Sequence, residues 1–215
     1  MSVSPESLGS ALADRLVASH GVRPGARAVV GIAGESGSGK SVTATNLAAA
    51  LGARGIATGV LHQDDYFHLP PRTNHERRER DLGHVGHGEV NLALLAAHVA
   101  AFRAGERAVV APAVDYPGNR FVTRAHDFSS LAALVVEGTY VLQLPALDVR
   151  VFLSATHEES RDRRRARNRD IVAPFVEQVL AIEHDIIARQ AAVADVVVDR
   201  EFRVVTGDGR RGGGG

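Results

Sequence analysis

Residues 34–41 read Gly-Glu-Ser-Gly-Ser-Gly-Lys-Ser, and Lys40 is the only lysine in a chain that otherwise relies on arginine. The run fits the spacing G-x-x-x-x-G-K-[ST]. It lies between an apolar segment, Ala28–Ile32, and a stretch of helical composition, Lys40–Leu51, closed by Gly52. That strand–loop–helix context is the one the pattern requires. Glycines let backbone N–H groups converge on phosphate oxygens, and the N-terminus of the following helix adds partial positive charge. A lysine supplies a compact ammonium where a planar guanidinium would be too wide. The hydroxyl of Ser41 stands where a nucleotide-associated Mg2+ needs an oxygen ligand. The expected nucleotide contacts are Gly34, Glu35, Ser36, Gly37, Ser38, Gly39, Lys40, Ser41 and Val42.

Three acids follow apolar runs. Asp64 and Asp65 come after Ile56–Leu61 in "HQDDYF", and Glu137 ends "LAALVVEG". Acids at the carboxyl ends of strands in an open α/β sheet face the ligand crevice. There a carboxylate can take a proton from an attacking hydroxyl or hold magnesium. The spacing therefore nominates Asp64 or Asp65 as base or magnesium ligand, with Ser41 and Glu137 as further metal ligands. The strand before Asp64 is expected beside the strand that feeds the glycine loop. A D-x-x-G at Asp115 raises the alternative of a switch GTPase. That class also needs an N-K-x-D element, and the chain has no second lysine to supply one.

"HEESRDRRRARNRD" carries a dense run of arginines. On a helical wheel Arg161, Arg165 and Arg169 share a stripe with Glu158 and Asp162, at spacing that pairs them. Arg164 and Arg167 fall on the face poorest in acids, where they could neutralise charge on a transferring phosphoryl group. His84 and His87 lack partner acids or thiols at ligand spacing, so they read as loop or substrate contacts rather than a metal site.

Apolar runs alternate with helix-period segments along the whole chain, which predicts an α/β fold with a mainly parallel sheet. Leu8–Val17 reads as a short helix ahead of the core. Residues 69–88 are rich in polar and turn-forming types and read as a long loop or excursion. "EVNLALLAAHVAAFRAG" reads as a helix, and "AVVAPAV", "ALVVEG" and "VRVFLSA" as strands. A long amphipathic helix carries Phe175, Val176, Val179, Leu180, Ile182, Ile186 and Ile187 at helical spacing. "ADVVVD" is expected to close the sheet, ahead of a glycine-rich tail expected to be disordered.

Composition narrows the function classes. Acidic and basic residues balance at 25 each, so no global field favours nucleic acid or a membrane surface. The single basic run lacks interleaved aromatics. There is no cysteine, hence no disulfide framework and no thiolate chemistry. The opening stretch contains acids and no charged start before an apolar run, unlike a secretory leader. No apolar run reaches the roughly 20 residues that span a bilayer. These features predict a cytoplasmic globular protein that acts on a small molecule, without nucleic-acid or membrane partners. Oligomeric state is left open, a homo-oligomer included.

"GESGSGKS", "HQDDYF", "VDY", "VVEGTY" and "RDRRRARNRD" together resemble the uridine kinase, phosphoribulokinase and pantothenate kinase group of P-loop kinases, over Val29–Asp199. The resemblance implies a three-layer P-loop kinase fold with an arginine-rich helical lid at about residues 157–173. It implies one domain over residues 1–204, a substrate-side excursion over about 66–90, and a tail at 205–215. ATP and Mg2+ would be the cofactors and a nucleoside 5′-hydroxyl the acceptor, with another sugar- or pantothenate-like alcohol as the alternative. Asp64 rather than Asp65 falls on the base, Glu137 on the strand acid for magnesium, and Arg164 and Arg167 near the lid arginines. Acceptor contacts would fall to Tyr66, Asp81, His84, Asp115, Tyr116 and Arg120. The chain departs from uridine kinases where Val85-Gly86-His87-Gly88 stands for D-H-P-x, and where Ile171-Val172-Ala173-Pro174 replaces E-R-G-R. The rival class is a P-loop ATPase or switch that acts on a protein partner.

Overall fold

A computed structural model describes residues 5–160 and 174–205. Eight strands are present among them: β1 (Ala28–Gly34), β2 (Thr58–His62), β3 (Ala108–Asp115), β4 (Arg120–Asp127), β5 (Ala133–Gly138), β6 (Val149–Leu153), β7 (Val196–Val198) and β8 (Val204–Val205). The helices are α1 (Pro5–Ser19), α2 (Lys40–Gly52), α3 (Pro71–Arg80), α4 (Leu92–Ala104) and α5 (Pro174–Ile187). The main sheet runs β2-β5-β1-β6-β7-β8, parallel except for β8. β1 and β5 are buried at every position, as their unbroken apolar runs require of central parallel strands.

The sheet buries two faces. Val30, Ile32, Val135 and Val151 pack toward the buried Leu8, Leu12 and Leu16 of α1 and Leu47 and Leu51 of α2. Val29, Leu134, Val136 and Phe152 point the other way, toward Leu95, Val99 and Phe102 of α4 and the segment 140–147. Alternation along each strand thus produces helix, sheet and helix layers, the expected α/β architecture. No helix among the described residues is long and apolar enough to cross a membrane.

Four expectations change. β2 does not lie beside β1, because β5 inserts between them and pairs with both. β7 does not end the sheet, since Val204–Val205 folds back antiparallel onto it. "AVVAPAV" forms β3 outside the main sheet, paired antiparallel with β4. The sequence hides β4 because "RFVTRAHD" is polar and largely exposed. The stretch 69–88 is largely structured, with α3 and short 3-10 turns at Leu82–His84 and, overlapping its end, His87–Glu89.

Polar contacts, not an apolar stripe, hold that excursion. The Arg78 guanidinium donates to Glu89 at 2.6 and 3.1 Å and to Glu183 of α5 at 2.8 Å. Glu89 also accepts from Asn74 Nδ2 at 2.6 Å and from the Gly86 amide at 2.7 Å. Burial works against the Arg78 charge, but Glu183 and Glu89 outweigh it and raise its pKa. Burial, helped by Glu89, raises the Glu183 carboxyl despite the pull of Arg78. Two acids share one cation in an interior where each lost partner strands the others. Glu89→Ala is expected to cost about 3–5 kcal/mol of unfolding free energy in urea titrations. Asp14→Ala, which removes the exposed partner of Arg54, should cost less than about 1 kcal/mol.

Candidate active site

The glycine loop leaves β1 and enters α2, and its backbone explains its composition. Gly37 and Gly39 have φ of 76° and 101°, values that L side chains rarely adopt. A Cβ on Gly39 would also stand 3.1 Å from the Phe202 ring. Among the described residues the amides of Gly37, Gly39 and Lys40 donate to no other backbone group. Ser38 Oγ is buried with no hydrogen-bond partner. Lys40 Nζ donates to Glu35 O at 3.0 Å, a bond that holds the ammonium over the loop. Unsatisfied donors converging beside a cation are what a polyphosphate requires, so these residues fit a nucleotide.

β5 carries Glu137 to the same place. The register sets Glu137 opposite Ile32 on one side and His62 on the other. Its Oε1 accepts from Ser41 Oγ at 3.0 Å and meets His62 Nδ1 at 2.7 Å. Burial works against this carboxylate, but His62, Lys40 and Ser41 outweigh it and hold its pKa below the usual range. The Glu137 hydrogen bond raises His62 in turn, against the effect of burial. Sequence reasoning overlooked His62, although it is the last residue of β2 and directly precedes the named "QDD".

Asp64 and Asp65 diverge. Asp64 is open to solvent, yet protein crowding around its carboxyl and the Glu137 charge raise its pKa, against Lys40 and His62. Asp65 Oδ1 instead accepts from the Val114 amide at 2.7 Å, which anchors the β3–β4 hairpin. Gln63 fixes the pair in place: it accepts from the Tyr140 amide at 2.8 Å and donates to Thr139 Oγ1 at 2.9 Å. The approach is close enough that a Cβ on Gly138 would lie 2.3 Å from Gln63 Cβ. Glycine after Glu137 is therefore a steric requirement.

The expected acceptor contacts separate into three groups. Tyr66 is buried in the core, where its hydroxyl meets His98 Nδ1 at 2.8 Å, so its ring is a packing element and not a cleft contact. Asp81 and His84 follow α3: Asp81 Oδ1 accepts from the Gly83 amide at 3.0 Å, and His84 Nε2 lies 3.2 Å from Asn74 Oδ1. Asp115, Tyr116 and Arg120 gather at the hairpin tip. Asp115 accepts from the Gly118 amide at 3.1 Å and Arg120 Nε at 2.9 Å, and both lower its pKa. The tip reaches α3 through Asn119, whose Oδ1 accepts from the Arg72 amide at 2.8 Å. Arg164 and Arg167 lie outside the described residues. A separate cavity of about 810 Å³ borders the 141–143 turn and α5, lined by Arg150, Arg189 and Gln190 among others, and of the expected contacts it holds His87 alone.

Glu35 was expected among the nucleotide contacts, but its side chain turns from the loop to His157 and His184. His184 was legible in principle, since it falls four residues after Leu180 on the buried side of α5. Nothing local in "LSATHEES" singles out His157.

A parallel sheet with a phosphate loop after β1 and acids at the tips of β5 and β2 defines a P-loop kinase. The chain belongs to the phosphoribulokinase / uridine kinase family, whose model matches residues 29–206. Members of that family in general use ATP and Mg2+. The chain is 29% identical over 192 residues to the bifunctional alpha-galactosidase/sucrose kinase of Mediterraneibacter gnavus, covering 83% of this chain and 20% of that protein. The chain thus spans about a fifth of that relative's length. Among solved structures it is similar to a possible uridine kinase from Bacillus stearothermophilus, with TM-score 0.62 at 20% identity over 88% of this chain and 96% of the other. It is also similar to the phosphoribulokinase from Rhodobacter spheroides, with TM-score 0.63 at 14% identity over 81% and 70%.

The two adjacent aspartates should separate experimentally. Asp65→Ala strands the Val114 amide and is expected to lower unfolding free energy by about 1–3 kcal/mol in urea titrations. Asp64→Ala should leave stability unchanged or raise it at neutral pH, since the Asp64 charge is disfavoured where it stands.

Proposed function

We propose that this chain moves the γ-phosphoryl group of ATP to a hydroxyl of a small metabolite, with a nucleoside 5′-hydroxyl the first acceptor to test. The observation that carries the reading is the meeting of Lys40, Ser41, Glu137 and Asp64 at one edge of the sheet. When bound, ATP supplies the phosphoryl group and Mg2+ neutralises charge on its outer phosphates. The loop amides, Ser38 and Lys40 would hold the phosphates, while Ser41, Glu137 and Asp64 would hold the metal.

Asp64 is the residue we assign to the acceptor. Its raised pKa makes it a better proton acceptor than an ordinary carboxylate, and it stands open to an incoming hydroxyl. It takes the hydroxyl proton as the acceptor oxygen bonds to phosphorus and the bond to the ADP oxygen breaks. Arg164 and Arg167 would neutralise charge on the transferring group as the lid closes. Asp81, His84, Asp115, Tyr116 and Arg120 remain acceptor-side candidates, because the excursion and the hairpin tip meet each other beside "HQDDYF". A free sugar is the second acceptor class, favoured by the likeness to a protein named a sucrose kinase over 83% of this chain.

Acceptor-stimulated ADP release, screened across nucleosides and sugars, tests the reading directly. Basal ATP hydrolysis should be slow and rise steeply with the right hydroxyl. Fast hydrolysis without any acceptor, stimulated by a protein partner, would replace the kinase reading with the ATPase one. Lys40→Arg should nearly abolish turnover with the fold intact, because a guanidinium misplaces the charge. Retention of most activity would remove the phosphate-loop assignment.

The pH profile tests the base. A raised pKa means that Asp64 holds its proton to higher pH than a free aspartate, and the protonated form cannot accept another. kcat/KM for the acceptor should therefore fall toward acid pH as Asp64 takes up its proton. Asp64→Asn should lower kcat by orders of magnitude and erase the acid limb from the residual rate. An unchanged limb in that variant would assign the base elsewhere.

A further inference from the structure

Glu35, His157 and His184 come from three separate places: the phosphate loop, the segment after β6, and α5. Their candidate ligand atoms all lie within 4.8 Å of one another. The histidines approach different oxygens of one carboxylate, His157 Nδ1 at 2.8 Å from Oε2 and His184 Nδ1 at 2.7 Å from Oε1. The His157 amide also donates to Oε2 at 2.6 Å, which fixes the carboxylate plane. The Glu35 side chain is 7% exposed, that of His157 12% and that of His184 41%. Among the described residues no lysine or arginine pairs with Glu35, so imidazoles alone face this buried acid.

We propose that these three side chains bind one transition-metal ion of the Zn2+ class, which ties the phosphate loop to the segments on both sides of residues 161–173. Two imidazole nitrogens and a carboxylate suit Zn2+, Co2+ or Ni2+, whereas Mg2+ prefers an all-oxygen shell. The site is thus chemically distinct from Ser41, Asp64 and Glu137, which offer only oxygen.

The geometry needs little adjustment. Metal–ligand bonds of about 2.0–2.2 Å in a tetrahedral shell put ligand atoms about 3.3–3.5 Å apart. The two nitrogen–oxygen contacts would open by about half an ångström as the ion replaces the protons they share, and those protons leave to solvent. His184 is exposed enough to admit the ion and leave a position for water. Ser160 Oγ donates to Ser36 O at 2.9 Å, so the segment that carries His157 is already docked on the loop.

The inference goes beyond the kinase reading and its test requires neither nucleotide nor acceptor. The full chain, stripped of metal with a chelator, would be titrated with Co2+ in millimolar excess of Mg2+. One equivalent should bind with the visible absorption bands of a four- or five-coordinate cobalt site, raise the melting temperature, and be displaced by Zn2+. His184→Ala and His157→Ala should each weaken binding at least about tenfold. His184→Ala, at the most exposed of the three positions, should melt like the wild type in chelator and keeps the test valid should His157→Ala fail to fold. Equal Co2+ affinity in wild type and His184→Ala, displacement by Mg2+, or no cobalt bands at all would each overturn the proposal.

Discussion

One parallel register governs the chemistry of this fold. β5 lies between β1 and β2, so Glu137 sits opposite Ile32 and His62 at once. That places a buried carboxylate between the first turn of α2, through Ser41, and the end of β2, through His62. Such a charge is tolerable in the interior only because hydrogen bonds and nearby cations offset its desolvation. A slip of β5 would break every one of those contacts together. The lowered Glu137, raised His62 and raised Asp64 are then one coupled arrangement and not three independent features.

The loop itself contrasts with the buried polar networks of the excursion and of Gln63. Buried Glu89 and Gln63 find partners, through shared contacts in one case and two bonds in the other. In the loop, Ser38 Oγ and several amides do not, and glycines hold backbone angles other residues avoid. Folding leaves donors unsatisfied there because the sheet beneath and α2 behind hold the loop firmly. Glu35 contributes by facing away from it toward His157 and His184, so the loop is anchored on its outer side as well.

The excursion and the hairpin solve a different problem. α3 has almost no apolar side, so polar bonds must take the place of a hydrophobic stripe. Arg78, Glu89 and Glu183 supply them from three parts of the chain, with Asn119 and Asp65 joining the hairpin to both α3 and the "HQDDYF" turn. These contacts dock the hairpin tip on the first turn of α3. Glu183 occupies the buried stripe of α5 at helical spacing, four residues before Ile187, where sequence periodicity alone expects an apolar side chain.

What the sequence by itself determined was local. A glycine run ending in Lys-Ser between a strand and a helix defines a phosphate loop because the conformation and the charge come from adjacent residues. The unbroken apolar runs of β1 and β5 likewise announce central parallel strands, and the strand-end acids mark the sheet edge that faces the glycine loop. Tertiary structure decided everything that depends on who stands next to whom. It set β5 rather than β2 beside β1, paired the polar β4 with β3, sent Tyr66 into the core, and gave Asp65 to Val114. It also brought Glu35 to His157 and His184, each more than a hundred residues further along the chain. The physical reason is that phosphate-loop chemistry is encoded in neighbouring backbone geometry, whereas buried ion pairs and metal-ligand sets are encoded only in long-range packing, which leaves no period or spacing in the chain.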